Sequence, residues 1–563
     1  MPQFLQRISL LFLSTTLAVA LIPSTGHAVV DMKNSNYSDA WQDLTFAGSG
    51  YALRVQRTYN SRTTYSGIFG FGWCSEFETS IEKTPEGRLK LMECGAGLEV
   101  IYSPAKFDTK AMDRLVDQLV AHYKKTTPGA TDAGATTLRE QLYEMADLRA
   151  EWAKHAGLPV PEVKKNVVYS ANGLEVEKII FDGTNYNRTL ADGTAQKFDA
   201  NGHLAMMNDK NGNNLKLSYS GDNLKEVVDN TGKKLTFAFN QNHRVSSITG
   251  PAGAKAEYKY KGEDLIEIKN MWKNVYKHEY DETHNLTKTV FPDGTTKLLT
   301  YNQKNDWVTS FTDRAVGGPA CVETYKYELS KNDPKNNFWS TAVKKCGNEV
   351  KNDARFEFWH KTRADGKNYL ARVLTRTLSN TLDVTYHPEL GRPVIVKKDG
   401  ITTTFDYFAN GLVKEKTTPA LRLSFEYKND FNKVSKVATD FLDAKGKIVR
   451  NRQTDFTYDT KSNLVTAQNS DGQSVKLTYD SRGRIATILD QAKKEVLVKW
   501  DDKTGKPAQI TRPGVGSIKL TYKANGEINK VDSPDGPTVA SQIAVTFNNL
   551  LDIIAPATSE LSM

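Results

Sequence analysis

Apolar and polar residues alternate along most of the chain in short runs, and the runs themselves repeat. Between Val167 and Phe311, about six β-prone residues, a polar turn, about six more and a second turn make one unit. The units are marked by Phe198, Tyr219, Phe239, Tyr260, Tyr280 and Tyr301, at spacings of 21, 20, 21, 20 and 21 residues. Self-similarity at a fixed period means that one small unit is copied and stacked. It reads best in Phe198-Asp-Ala-Asn-Gly-His-Leu204, Tyr479-Asp-Ser-Arg-Gly-Arg-Ile485 and Tyr522-Lys-Ala-Asn-Gly-Glu-Ile528. Each unit predicts a β-hairpin with arms of roughly 20 Å, at about 3.3 Å per residue. The pattern resumes at Tyr386, Tyr407 and Tyr427, then at Tyr458, Tyr479, Trp500 and Tyr522. These aromatics read as the core ladder of the repeat rather than as ligand-binding residues.

Turn chemistry supports the same elements. The slot after the aromatic holds Gly202, Gly483 and Gly526, and His243, His284 and Asn305 in other units. These residue types tolerate positive φ, so the histidines are expected in turns rather than as bases or ligands. Asp-Gly, a hairpin signal, recurs at 192–193, 293–294, 471–472 and 535–536.

Outside the repeats the periodicity changes. Residues 29–103 predict a β domain of short strands and glycine turns, in which Leu53-Arg-Val-Gln-Arg57 alternates as a half-buried strand does. Phe69, Phe71 and Trp73, set among glycines, are expected to plug an apolar surface. Residues 104–165 predict an inserted helical hairpin. Its helices, Asp108 to Lys125 and Thr136 to His155, are separated by Thr127-Pro-Gly-Ala-Thr131 and stopped by Gly157-Leu-Pro-Val-Pro161. Such an insert could act as a lid or partner arm, and packing on a sheet end is the simpler reading. Two repeat blocks, 166–314 and 381–540, flank an irregular excursion over 315–380, read as a bulging loop or cross-over. Residues 541–563 predict a final strand or short capping helix over the last open edge.

Composition adds a destination. Arg7, the apolar run Ile8 to Ile22 and the small residues of Gly26-His-Ala28 read as a secretory signal, cleaved between Ala28 and Val29. Pro23 ends that run short of the roughly 20 residues a membrane helix needs. Export to the periplasm, cell surface or exterior is therefore expected, with no membrane span once the signal is removed. Cys74, Cys94, Cys321 and Cys346 would then meet oxidising conditions, and an even number favours disulfides over buried thiols. Cys74 and Cys94 flank one predicted hairpin and Cys321 and Cys346 flank the excursion, so sequence-local pairing is the favoured connectivity of three. Neither gap carries the close Cys or His pairs of a metal site, and no metal or cofactor is expected. The net charge of +9 could favour acidic polysaccharide, lipopolysaccharide or a membrane surface. A lysine-rich β surface that discourages edge-to-edge pairing is the simpler reading.

The repeats resemble the tyrosine–aspartate (YD) repeats of the RHS family. Asp43-Leu-Thr-Phe46, Leu53-Arg-Val-Gln-Arg-Thr-Tyr-Asn-Ser-Arg62 and Gly67-Ile-Phe-Gly-Phe-Gly-Trp73 resemble the domain that precedes such repeats. This resemblance implies a mostly β protein, its tandem hairpins forming a continuous spiral or curled sheet that makes a shell. In large relatives the shell encloses a C-terminal toxin. About 40 residues follow Tyr522 here, without an Asp-Pro-x-Gly-Leu cleavage segment, so toxin activity is not carried over.

Catalytic motifs are sparse. The chain lacks His-Glu-x-x-His, Gly-x-Ser-x-Gly and a phosphate loop, and Asp209-Lys-Asn-Gly-Asn213 reads as a turn rather than a calcium loop. The favoured expectation is a non-enzymatic binding or structural shell at the cell envelope or exterior, with carbohydrate as a candidate ligand. Its candidate partners are acidic polysaccharide, a cell-wall component or a client protein, and nucleic acid is not among them. One alternative is an encapsulating accessory for a separately encoded effector. Another is a polysaccharide-cleaving enzyme using concave-face carboxylates, a chemistry that any strands brought together could supply.

Overall fold

A computed structural model describes residues 29–558, apart from 47, 49–50, 94–97, 175, 314–319, 364–367, 429–431, 524–526 and 534–535. Ala28 of the expected cleavage site, Cys94, Gly526 and Asp535 therefore lie outside the described residues. Strands from Ser80–Lys83 to Ile528–Asp532 each pair antiparallel with their chain neighbours, giving one open sheet of 36 strands.

The repeat period has a local cause. Each of the thirteen expected aromatics, from Phe198 to Tyr522, sits where the register of its hairpin shifts by a residue. Such a bulge bends the strand and increases its twist, so its recurrence in the aromatic-marked hairpins curls the sheet. After it, an Asp or Asn closes the turn. The carboxylate of Asp480 accepts from the backbone N–H groups of Arg482 and Arg484, and Asp281 does the same for Thr283 and Asn285. Asp209 accepts from Asn211 and Asn213 in the same way, which makes its segment a turn.

The curl brings distant turns together. Lys210 donates to the Ser462 carbonyl (2.8 Å), Asn463 to the Asn211 side chain (2.9 Å) and Lys233 to the Lys503 carbonyl (2.8 Å). Between the turns at 209–213 and 459–463 lie 21 strands. One coil of the spiral is thus about 100 Å around, at 4.7–4.9 Å per strand. The free edge of Ser80–Lys83 is also met. Its Ile81 N–H donates to the Gly202 carbonyl at 3.0 Å. Gly202 has φ 87°, and a Cβ there would fall 1.9 Å from the Ile81 oxygen, so this contact requires glycine.

One face of the sheet carries the aromatic ladder and is covered by the chain's two ends. Val29–Val30, Tyr37–Phe46, Leu53–Asn60 and Trp73–Ser75 form a separate four-stranded sheet. The domain expected over 29–103 therefore divides, because Ser80–Lys83, Leu89–Glu93 and Leu98–Pro104 begin the long sheet instead. Leu44, Leu53, Val55, Tyr59 and Trp73 of the small sheet, with Phe69 from the turn beside it, share a buried core with wall residues from Ile179 to Ala342. A body this small reaches strands so far apart only if the wall curls around it. It is a plug. At the other end, Pro537–Thr558 is a 22-residue helix, longer than the expected cap. Its Val539, Ile543, Phe547, Leu550 and Ile553, at helical spacing, pack on Val437, Ile488, Val496 and Ile510 of the second half.

Two further expectations are corrected. The hairpin expected over 104–165 is three helices, Thr109–Thr126, Asp132–Glu144 and Ala146–His155. The break at Met145 frees two carbonyls, Leu142 and Tyr143, and the buried Arg149 guanidinium donates to both while pairing with Glu86. The insert leaves the sheet after Pro104 and returns at Val168, and those two strands pair directly beneath it. The excursion expected over 315–380 is sheet. Cys321–Leu329, Asn337–Cys346, Glu349–Thr362 and Asn368–Arg376 continue the wall with strands of 9, 10, 14 and 9 residues.

Candidate functional site

The densest buried chemistry lies between plug and wall. Asp43 and Arg57 stand on facing plug strands, and the Arg57 guanidinium binds the carboxylate through Nε and Nη2. Tyr258 of the wall donates its hydroxyl to the same carboxylate at 2.8 Å. Arg57 lies 4.5 Å over the Trp73 ring, whose indole N–H donates to the Tyr280 hydroxyl at 2.9 Å. A second pair repeats the arrangement from the other side. Lys297 of the wall donates to Asp39 of the plug at 2.7 Å, and Tyr37 donates to the same oxygen at 3.0 Å. All six polar partners are buried or nearly so.

Burial sets the electrostatics. It pushes the Asp39 carboxyl up, against the opposing pull of Lys297. It also drives the phenols of Tyr37, Tyr258 and Tyr280 far above their usual range, so all three stay protonated donors. Burial opposes the charge on Arg57, but the Asp43 carboxylate outweighs it. His278, between the two pairs, is held well below 6.5 by burial first and then by Arg57 and Lys297. Both carboxylates are therefore committed to cations. Among the described residues, no cluster of His, Cys, Asp and Glu could hold a metal ion.

The predicted residues fall as follows. The repeat aromatics line the covered face, and most also donate to it. Tyr219, Tyr260, Tyr280, Tyr301, Tyr479, Trp500 and Tyr522 each bond the carbonyl 15 residues earlier, at 2.7 to 3.0 Å. Tyr407, Tyr427 and Tyr458 bond carbonyls 14, 14 and 24 residues back. Phe198 is fully buried, and Phe239 and Tyr386 pack against the core. Cys321 and Cys346 face each other across a strand pair and form a disulfide. Cys74 is disulfide-bonded too, and its expected partner Cys94 lies outside the described residues. His243 and His284 occupy turns at φ 57° and 65°, whereas in the unit expected to turn at Asn305 the positive φ falls on Asp306. Phe69 and Trp73 are fully buried as the plug expectation requires.

Arg57, Asp43, Asp39, Lys297 and His278 were not singled out by motif. Their signal is parity. Arg57 shares the inward phase of Leu53, Val55 and Tyr59, and Lys297 that of Leu299 and Tyr301. A charge on the apolar phase of a strand marks a buried partner.

A domain of unknown function, DUF6531, matches residues 28–97, and the Teneurin YD-shell model matches residues 432–562. No curated protein matches the chain. Among solved structures, the TcdB2-TccC3-TEV crystal structure is 10% identical with a TM-score of 0.42, and the alignment covers 95% of this chain and 29% of that one. TcdB2-TccC3 without its hypervariable C-terminal region is 10% identical with a TM-score of 0.41, covering 96% and 30%. The Photorhabdus luminescens Tc holotoxin pore is 9% identical with a TM-score of 0.27, covering 88% and 29%. The chain spans less than a third of the length of each. No helix among the described residues is long and apolar enough to cross a membrane. The YD-shell match covers one end of the chain, and the same bulged aromatic unit runs back to Phe198, so the wall is built of repeats similar to those of YD-shell proteins.

Proposed function

We propose that the chain is a non-enzymatic shell of the cell envelope or exterior, working through its outer wall and binding carbohydrate there. One observation carries this reading: the chain's own plug and C-terminal helix pack on the inner face, with Asp39 and Asp43 paired with buried cations. Carboxylates held in that way hold a structure together and are poor acids or bases for a substrate. The outer face carries solvent-exposed rows such as Lys259–Glu267, Lys288–Glu279, Lys414–Asp406 and the Thr300–Thr309 hydroxyl pair. Hydroxyl-rich ligands find donors and acceptors in such rows.

The test passes purified protein over immobilised envelope polysaccharides and assays the same material for new reducing ends. Retention without new ends is expected. New reducing ends that follow the protein would identify an enzyme, and passage unretained over the whole panel would remove carbohydrate as the ligand.

A further inference from the structure

We propose that the dock between plug and wall is an acid-sensitive latch whose proton sensor is His278. This goes beyond the shell reading, since it concerns how plug and wall are held together. His278 stands on the wall strand Val275–Tyr280, and its two closest ring partners come from the plug. It stacks on Trp73 with centroids 5.4 Å apart and planes 26° apart, and meets Trp41 edge-on at 5.7 Å. Its Nδ1 lies 2.9 Å from Thr289 Oγ1, and its buried Nε2 has no hydrogen-bond partner in the structure. The charged groups facing it are Arg57 from the plug and Lys297 from the wall. Tyr280 on its own strand and Tyr258 on a nearby one are neutral phenols. Asp43 and Asp39 lie beyond the two cations and are already paired with them.

The site accepts a neutral imidazole and rejects an imidazolium, which would be a third cation with no acceptor for its Nε2 proton. Undocking returns His278 to water, where it titrates near 6.5. The undocked state therefore binds the extra proton, and docking is strongest above that pH and weakens below it. For one such group, the docked-to-undocked ratio falls about tenfold per pH unit below about 6.5 until the docked imidazole itself titrates. Asp39 works in the opposite sense, because burial raises its carboxyl in the docked state. Replacing His278 separates the two.

The experiment follows hydrogen exchange of the full-length protein, corrected for the intrinsic pH dependence of exchange, from about pH 5 to 7.5, where histidine is the only side chain whose unperturbed pKa falls in range. In the wild type, opening of the plug strands Tyr37–Phe46 and Leu53–Asn60 should rise about tenfold per unit below about 6.5, while residues 474–490 of the distant wall stay unchanged. In His278→Gln the rise in the plug strands should vanish. Parallel curves for the two proteins would overturn the proposal. Should His278→Gln fail to fold, the imidazole is titrated by NMR in the wild type. An imidazole still neutral below about pH 5.5 with the plug docked supports the latch, and one that titrates near its ordinary 6.5 overturns it.

Discussion

The hydroxyl of Tyr479 shows why the repeat has the residue it has. It donates at 2.7 Å to the Leu464 carbonyl, and Leu464 is the residue paired with Tyr458, the preceding aromatic, across its bulge. Trp500 does the same for Ile485, which faces Tyr479. Each ring therefore packs on the core and staples the bulge before it, using the N–H or O–H that a buried Tyr or Trp must satisfy anyway. Tyr479→Phe keeps the ring and loses the donor, so it should cost about 1 kcal/mol in urea unfolding. Tyr280→Phe should cost more, because its hydroxyl also accepts from Trp73. The identity of these aromatics was legible from spacing alone, but the staple was not, since it depends on a bulge that no single residue announces. At the dock the relevant magnitude is larger. Arg57→Met leaves Asp43 buried without its guanidinium and should cost about 3–5 kcal/mol. The double variant Arg57→Met/Asp43→Leu should recover much of that loss. A double variant no more stable than Arg57→Met would show that the pair is not self-contained.

At the scale of elements, the sequence misleads wherever a strand or helix departs from the common length. The 21-residue period exists because two short strands and two tight turns fill it. The strands over 321–376 are longer, so the period dissolves although the sheet does not. Their alternation persists, with Ser340, Ala342, Ala354 and Phe358 buried at strand spacing, and Tyr327 still donates to the Val308 carbonyl opposite Tyr301, but it stands out of step with the period. The helical insert fails differently. Leu138, Leu142, Leu148 and Trp152 fit one continuous helix, and the break at Met145 is stabilised by Arg149 from three-dimensional contacts with Glu86. Arg149 itself gave no warning, because an arginine in an amphipathic helix reads as a surface residue. Arg149→Ala should therefore disconnect the insert from the hairpin below it while leaving the wall intact. Hydrogen exchange should rise across 132–155 and stay unchanged across the repeats. Equal destabilisation of both regions would mean that the insert and the wall fold as one unit.

For the whole molecule, the question is what keeps a spiral from uncoiling. Strand pairing runs along the ribbon apart from a single bridge between Ser80 and His203, and no ladder among the described residues joins its two ends. The coils are joined instead by plug, C-terminal helix and seam, and the seam is made of turns. One tight point is Gly483, at φ 78°, where a Cβ would fall 2.0 Å from the Asn211 side chain. Asn211 cannot simply turn away, because its Oδ1 accepts from Asn463 across the seam. Gly472 supplies the control. It has nearly the same backbone, φ 85°, with nothing within 4 Å of its Cβ position. Alanine at either site meets the same left-handed strain, about 1–2 kcal/mol. Only Gly483→Ala also pushes the coils apart. Gly472→Ala should lose that stability and keep its radius of gyration in solution scattering. Gly483→Ala should lose more and expand, with its far-ultraviolet circular dichroism unchanged because the ribbon itself is untouched. If the two variants scatter alike, the coils are held by the plug and the helix alone, and the turn contacts merely follow.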